Sequence, residues 1–159
     1  MATELVRKCK YCEIEDRLKY LETVKREEIS DAIKRAKEFG DLSENAEYSA
    51  AKDAQNANEE EIVKLNELLK NLCILTPAHV STDRVSVGTV VTIEDEDGDT
   101  DTFTILNSLE ADSRRNIISI QSPLGSALEG RKAGETVEVK TPGGKYSVTI
   151  VSIEMCSDL

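Results

Sequence analysis

Between residues 13 and 75 the chain contains no proline and a single glycine, Gly40, and it is dense in Glu, Lys, Leu and Ala. These residue types favour helix, and their density predicts helix on both sides of the glycine. A long helix needs a partner for its apolar face, so this stretch restricts the fold more than any other part of the chain. Because glycine commonly ends helices, Gly40 predicts a break between two helices rather than one continuous rod.

Core candidates recur every three or four residues on both sides of this break. In the first arm they are Ile14, Leu18, Leu21, Lys25, Ile29, Ile33 and Ala36, and in the second they are Ala51, Ala54, Asn58, Ile62, Leu65, Leu69 and Leu72. Matched in opposite directions, from Ile14 with Leu72 to Ala36 with Ala51, the paired residue numbers always add to 86 or 87. Two antiparallel helices folded about one turn produce such a constant sum. The sequence therefore predicts a helical hairpin with arms of roughly 40 Å.

Two carboxylates, Asp41 and Glu44, lie in the predicted turn directly after Gly40. In one interpretation they form a capping box that opens the second helix, which explains both acids without any chemistry. In the other they share one face of the turn and hold a divalent ion jointly with another molecule. Magnesium typically takes only one or two protein carboxylates, so these acids would be half of a site and would not bind the ion stably alone. The other half would lie in a partner whose two-metal centre performs phosphoryl chemistry.

Four basic residues lie close to the turn: Lys34, Arg35, Lys37 and Lys52. This basic patch suits contact with a nucleic-acid backbone. It is equally typical of a solvated helix face with local ion pairs, such as one between Lys34 and Glu38.

The second half of the chain reads as β-rich. Strands are expected at residues 89–93, 102–106, 117–120, 136–139 and 146–153, with turns at residues 97–98 and 142–144 and a short helix within residues 122–130. The predicted fold class is α+β, with a helical hairpin domain at residues 1–76 and a mainly antiparallel β domain at residues 77–159.

Composition excludes several classes of protein. The net charge of −11 argues against a general nucleic-acid platform, so contact with nucleic acid must be local. The chain has neither an apolar run of the roughly 18 residues that a membrane span needs nor an N-terminal export segment, and a cytoplasmic location is expected. The four cysteines are too few and too irregular for a disulfide-stapled fold.

Specific segments resemble the Gre family of bacterial transcript-cleavage factors. The turn, residues 40–48, reads GDLSENAEY and is similar to the tip of those factors. Residues 119–130, SIQSPLGSALEG, and residues 140–144, KTPGG, are similar to their FKBP-like C-terminal domain. The chain departs from the family at residues 7–12, where RKCKYC replaces the usual Leu-Thr opening of the first helix.

The resemblance implies a factor that inserts its coiled-coil hairpin into the secondary channel of a backtracked RNA polymerase. Asp41 and Glu44 match the tip acids that help to hold the polymerase's second catalytic Mg²⁺, while the polymerase itself cleaves the RNA, so the factor is not an enzyme. Lys37 and Lys52, with Lys34 beside them, match a basic patch that steers the nascent RNA 3′ end. The segment containing Ser122 and Pro123 matches one that contacts polymerase at the channel rim. A monomer with at most weak DNA binding and no membrane contact is expected.

Two alternative functions differ from transcript cleavage: that of a non-cleaving channel-binding paralogue and that of a prolyl isomerase. A channel-binding paralogue could inhibit or merely occupy polymerase without promoting cleavage, although the retention of both tip acids, with no extra tip acid beyond Glu47, argues against it. A prolyl isomerase is suggested only by the FKBP-like resemblance. That activity needs an aromatic-lined pocket, and the domain contains just Phe103 and Tyr146 as aromatic residues.

Overall fold

The computed structural model describes residues 3–40 and 45–159. Contacts divide the chain into one unit formed by Tyr11–Leu72 and a second unit that combines Thr3–Lys10 with Cys73–Leu159.

Residues 3–10 group with the second unit, whereas the predicted boundary placed residues 1–76 in the hairpin domain. The physical reason is strand pairing. Strand β1 (Glu4–Val6) and strand β2 (Leu72–Ile74) form a two-stranded sheet. Just beyond it, Leu75 donates its backbone N–H to the carbonyl of Val6 at 2.7 Å.

The first unit is the predicted helical hairpin. Its first arm consists of α1 (Lys8–Tyr20), a π-helical turn (Leu21–Lys25) and α2 (Arg26–Lys37). Its second arm is α3 (Ala46–Lys70), which packs against α2. The prediction of two long helices separated near Gly40 is confirmed, and the π-helical turn is the one feature of the first arm that the pattern did not indicate.

The predicted core positions are mostly buried. Those with buried side chains are Ile14, Leu18, Leu21, Ile29, Ala36, Ala51, Asn58, Ile62 and Leu72. Leu18, Leu21 and Ile62 form one apolar cluster, on which Leu65 and Leu69 pack. Ala54 is exposed, contrary to its predicted core position, and Lys25 and Ile33 are only half-buried.

A buried polar side chain, Asn58, lies in the middle of the hairpin with only 5% of its surface exposed. Its Nδ2 donates to the backbone carbonyl of Leu21 at 3.1 Å, and its Oδ1 is buried without a hydrogen-bond partner among the described residues. The predicted register placed Asn58 opposite Ile29, whereas its side chain bonds to the carbonyl of Leu21, at the start of the π-helical turn. The neighbouring pair of Arg26 with Glu59, whose numbers add to 85, stays within about one position of the predicted sum. A π turn inserts one extra residue into one arm, which changes such a sum by about one.

The substitution Asn58→Asp should destabilise the hairpin by about 2 kcal/mol at neutral pH, because it replaces the donor to the Leu21 carbonyl with a buried negative charge. The loss should shrink at acidic pH, where the protonated carboxyl donates again. Thermal unfolding followed by helical circular dichroism at pH 7 and pH 4 measures both effects. The matched control is Asn56→Asp at an exposed position of the same helix, and equal shifts in the two variants would contradict the assigned role.

An ion pair joins the two arms beside this layer. Arg26 donates from Nε and from its second terminal nitrogen to the two carboxylate oxygens of Glu59, each at 2.9 Å. The hydrogen bond from Arg26 holds the pKa of Glu59 below its ordinary value. Because the folded state lowers this pKa, the stabilisation is present above the ordinary carboxylate range and is lost as the pH falls through the lowered pKa.

The second unit contains a five-stranded sheet with the order β5-β4-β3-β7-β6. The strands are β3 (Thr89–Glu94), β4 (Thr100–Leu106), β5 (Ile117–Ser119), β6 (Thr136–Thr141) and β7 (Gly144–Met155). All neighbouring pairs are antiparallel except β4 with β5, which is parallel. The predicted mainly antiparallel sheet is therefore confirmed. Helix α4 (Pro123–Leu128) follows β5 and contributes Leu128 to the apolar core of the sheet.

The N-terminal segment is joined to the rest of the second unit by a buried ion pair. Arg7 donates from its backbone N–H and its Nε to the two carboxylate oxygens of Glu110, at 3.0 and 2.9 Å. Only 2% of the Glu110 side chain is exposed. Burial by itself lowers the pKa of Arg7, but the hydrogen bond and charge of Glu110 outweigh it and raise that pKa.

The substitution Glu110→Ala should destabilise the second unit by about 3 kcal/mol, because it leaves a largely buried guanidinium with only the exposed carboxylate of Asp158, at 3.4 Å, as a partner. Urea unfolding of the full chain, followed through the NMR amide signals of β3 and β7, measures the loss. The control is Glu138→Ala, which breaks the exposed pair of Lys145 with Glu138 and should cost less than about 1 kcal/mol. Similar losses of unfolding free energy in the two variants would show that the buried Arg7 pair stabilises the protein no more than an exposed pair does.

Candidate functional site

The described residues on either side of the turn define its two ends. Helix α2 ends at Lys37 with Glu38 as its C-cap, and Gly40 has φ +112°, a conformation that favours glycine. The predicted break between two helices at Gly40 is confirmed. The predicted site acids Asp41 and Glu44 lie outside the described residues, so their role as metal ligands stays a prediction.

Asn45 ties the beginning of α3 to the end of α2. Its Oδ1 accepts the backbone N–H of Tyr48 at 3.1 Å, which makes it the N-cap of α3. Its Nδ2 donates to the carbonyl of Ala36, near the end of α2. Helix α3 therefore begins after Asn45, whereas the capping-box interpretation placed its beginning after Asp41.

Asn45 was not among the functional residues predicted from the sequence, although a signal for it was present. Asparagine is among the most favoured N-cap residues, and Asn45 directly precedes the helix-favouring run that begins at Ala46. The second hydrogen bond had no sequence signal, because it joins residues from two different helices.

The basic patch is exposed at Lys34, Arg35, Lys37 and Lys52. Lys52 donates from Nζ to Oε1 of Gln55 at 3.0 Å. Within the part of the chain that the structure describes, Lys34 and Lys37 form no ion pair, so the expected pair of Lys34 with Glu38 is absent. Both ammonium groups are therefore accessible to a ligand.

A recess lies beside the end of α2, and we call it the tip groove. It has a volume of about 430 Å³ and is lined by Ala32, Arg35, Ala36, Glu38, Phe39 and Glu47. Phe39 is 71% exposed, more than any other large apolar side chain among the described residues. Phe39 was not among the candidate site residues predicted from the sequence.

In the second unit, Ser122 and Pro123 begin α4, and the two residues differ in exposure. The Ser122 hydroxyl donates to the carbonyl of Ser119 at 2.6 Å and accepts the N–H of Gly125 at 3.0 Å. A Cβ on Gly125 would lie 2.1 Å from the Ser119 carbonyl oxygen, so only glycine fits there. Ser122 thus holds the loop, whereas Pro123 is exposed.

A cleft of about 350 Å³ in the second unit brings Phe103 and Tyr146 together. The other lining residues are Ile93, Asp95, Glu96, Asp97, Asp101, Leu124, Ser147 and Val148. Both aromatic residues were noted from the sequence, but their places in the sequence gave no basis for expecting them in one cleft. With two aromatic rings and four carboxylates in its lining, the cleft is not the aromatic-lined pocket that prolyl isomerisation needs.

Two family models match the chain along most of its length. One, described as "Transcription elongation factor, GreA/GreB, C-term", matches residues 80–155, and the other, "Transcription elongation factor, N-terminal", matches residues 7–74. The chain belongs to the GreA/GreB family of transcription elongation factors. Its membership in the Gre family, predicted from the turn and the second domain, is confirmed, and the match includes residues 7–12, where the chain departs from the usual opening.

Individual relatives agree with the family models. The transcription elongation factor GreA of Geobacillus kaustophilus is 46% identical over 142 residues, which cover 89% of this chain and 90% of the relative. GreA of Clostridium perfringens is 43% identical over 141 residues, covering 88% and 89% of the two chains. The crystal structure of GreA factor homolog 1 from Thermus thermophilus aligns with 96% of this chain and 99% of its own, with 26% identity and a TM-score of 0.41.

None of the helices in residues 3–40 and 45–159 combines the length and hydropathy of a membrane span.

Replacing Asn45 should loosen the tip of this GreA/GreB-family hairpin. Asn45→Ala removes both hydrogen bonds and should cost about 1–2 kcal/mol, with loss of protection at the Tyr48 amide. Asn45→Asp keeps the acceptor for Tyr48 but removes the donor to Ala36, so it should retain that protection. Native-state hydrogen exchange measures both, and Asn66→Ala at an exposed position of α3 is the control. Retained protection in Asn45→Ala would contradict the capping assignment.

Proposed function

We propose that this chain rescues backtracked transcription complexes by inserting its hairpin into the RNA polymerase secondary channel and stimulating the polymerase's own RNA cleavage. The observation that carries the proposal is the combination of GreA/GreB family membership with two acids, Asp41 and Glu44, in the connection between Gly40 and the N-cap Asn45. The cytoplasm, where the polymerase works, is the proposed location.

The carboxylates of Asp41 and Glu44 are suitable ligands for Mg²⁺, which prefers one or two carboxylates and leaves its other positions to water and substrate phosphates. Mg²⁺ held jointly by the factor and the polymerase would supply an activated water and stabilise charge on the scissile phosphate. The factor's own contribution is to bring two anionic oxygen ligands to the polymerase's active centre. Asn45 supports that contribution because it ties the ends of both helices and so limits the positions open to the four residues between Gly40 and itself.

Other residues have supporting roles in the proposal. The exposed ammonium groups of Lys34 and Lys37, together with Lys52, attract the phosphates of the displaced RNA 3′ end. At the start of α4, Ser122 orders the loop through its two hydrogen bonds. The neighbouring Pro123 is exposed and presents an apolar surface to the rim of the channel. The phosphodiester bond is broken by the polymerase, so the factor itself is not the nuclease.

The double substitution of Asp41→Ala with Glu44→Ala should reduce stimulated RNA cleavage by at least about a hundredfold, because both ligands to the shared metal are lost. Single-turnover cleavage in a stalled elongation complex measures the effect. Competition with a labelled unmodified factor should show unchanged binding to polymerase, since the acids are not needed for docking. Asp53→Asn, an exposed acid on α3, is the control and should cleave normally.

Two outcomes would overturn parts of this proposal. Unchanged cleavage in the double variant would remove the metal role from Asp41 and Glu44. Tight binding of the unmodified chain without any stimulation would instead identify it as an inhibitory or structural channel-binding paralogue.

A further inference from the structure

Phe39 presents an aromatic ring to solvent at the place where the hairpin turns. It lies between the C-cap of α2 and Gly40, and 71% of its surface is exposed. A single exposed apolar residue is ordinary in a soluble protein. Phe39 differs because its ring forms part of the wall of a recess, the tip groove, instead of projecting alone from a helix face.

The size and lining of the tip groove suit a small planar group. Its volume of about 430 Å³ falls within the range of small-ligand sites. Ala32 and Ala36 line the groove with small side chains, so space remains between the two helices beside the Phe39 ring. A flat apolar group that entered the groove would bury one face against that ring.

The charges of the groove favour a nucleobase over a phosphate. Arg35 contributes one positive charge, whereas Glu38 and Glu47 contribute two negative charges. Carboxylates repel phosphate but accept hydrogen bonds from the amino groups of bases. The exposed ammonium groups of Lys34 and Lys37, at neighbouring positions of α2, are available to the phosphates that flank such a base.

The tip groove is close in the sequence to the proposed metal ligand Asp41. Phe39 lies two residues before Asp41, and two residues of chain span at most about 7 Å. That distance is comparable with the length of one nucleotide. A base in the groove would therefore belong to a nucleotide near the phosphate that is cleaved.

We infer that Phe39 stacks on one unpaired base of the displaced single-stranded RNA and thereby positions the RNA for cleavage. The inference rests on the proposed function and adds a residue and a ligand group to it. Aromatic side chains stack on any base, because every base has a π-face, and purines offer the larger face. Holding the nucleotide beside the cleaved bond lowers the entropic part of the barrier.

Three substitutions separate stacking from simple apolar contact. Phe39→Trp keeps an aromatic face, Phe39→Leu keeps apolar bulk without one, and Phe39→Ala removes both. In single-turnover cleavage at saturating factor, the Leu and Ala variants should each be slower by about tenfold, and Trp should retain full activity. The loss should be larger when the displaced 3′ nucleotide is A than when it is C. Val63→Ala, an exposed apolar residue on α3, is the control and should cleave normally.

A direct measurement keeps this inference separate from the proposed function. The Asp41→Ala, Glu44→Ala factor is added to a stalled complex that carries 2-aminopurine at the displaced 3′ end. Stacking on Phe39 should quench the fluorescence, and adding Phe39→Leu to the same factor should restore it. Restored fluorescence supports the inference whether or not the unmodified factor stimulates cleavage, whereas loss of stimulation alone contradicts only the proposed function.

Several results would overturn the inference. Full activity in Phe39→Leu would mean that the ring packs on an apolar surface of polymerase. Normal cleavage in all three variants would mean that Phe39 has no role. Loss of polymerase binding or of helix content in Phe39→Ala and Phe39→Leu, with quenching unchanged, would assign Phe39 to docking or folding instead.

Discussion

The packing of α2 against α3, closed at one end by Asn45, is the constraint on which the hairpin depends. Helix ends leave backbone N–H and C=O groups without intrahelical partners. One amide side chain satisfies both kinds of group here, since Asn45 accepts from Tyr48 at the start of α3 and donates to Ala36 near the end of α2. The chain that carries Asp41 and Glu44 therefore begins and ends on a fixed pair of helices. This matters for any function that requires those acids to arrive together at a partner.

The middle of the hairpin is held by polar groups as well as by apolar packing. Asn58 bonds to the Leu21 carbonyl inside the core, and Arg26 forms a two-pronged pair with Glu59 beside it. A buried asparagine usually reduces stability but specifies one alignment of the paired helices. The π-helical turn, Leu21–Lys25, lies at the same layer. Alignment in this region thus depends on a specific hydrogen bond, which an apolar residue at position 58 would not provide.

In the second unit, hydrogen bonds within the loop distinguish the role of Ser122 from that of its neighbour Pro123. Ser122 and Pro123 are adjacent in the sequence and were selected together from the family resemblance. Both hydrogen-bonding functions of the Ser122 hydroxyl are used within the loop, whereas Pro123 is exposed. Gly125 allows the close approach that this loop requires. Arg7 and Glu110 lie far apart in the sequence. Their buried ion pair joins the segment that follows the first strand to the same unit.

The sequence by itself determined the two long helices, the break at Gly40, the strands of the five-stranded sheet and family membership, because periodicity, turn residues and motifs are local properties of the chain. Tertiary structure alone decided which groups meet across elements. The partner of Asn58, the second bond of Asn45, the pairing of Arg7 with Glu110 and the shared cleft of Phe103 and Tyr146 all join residues distant in sequence or on different elements. Neither the bond of Asn58 to Leu21 nor the π turn that begins at Leu21 had a clear sequence signal. Local preferences are encoded residue by residue, but such contacts exist only once the packed chain brings distant groups together.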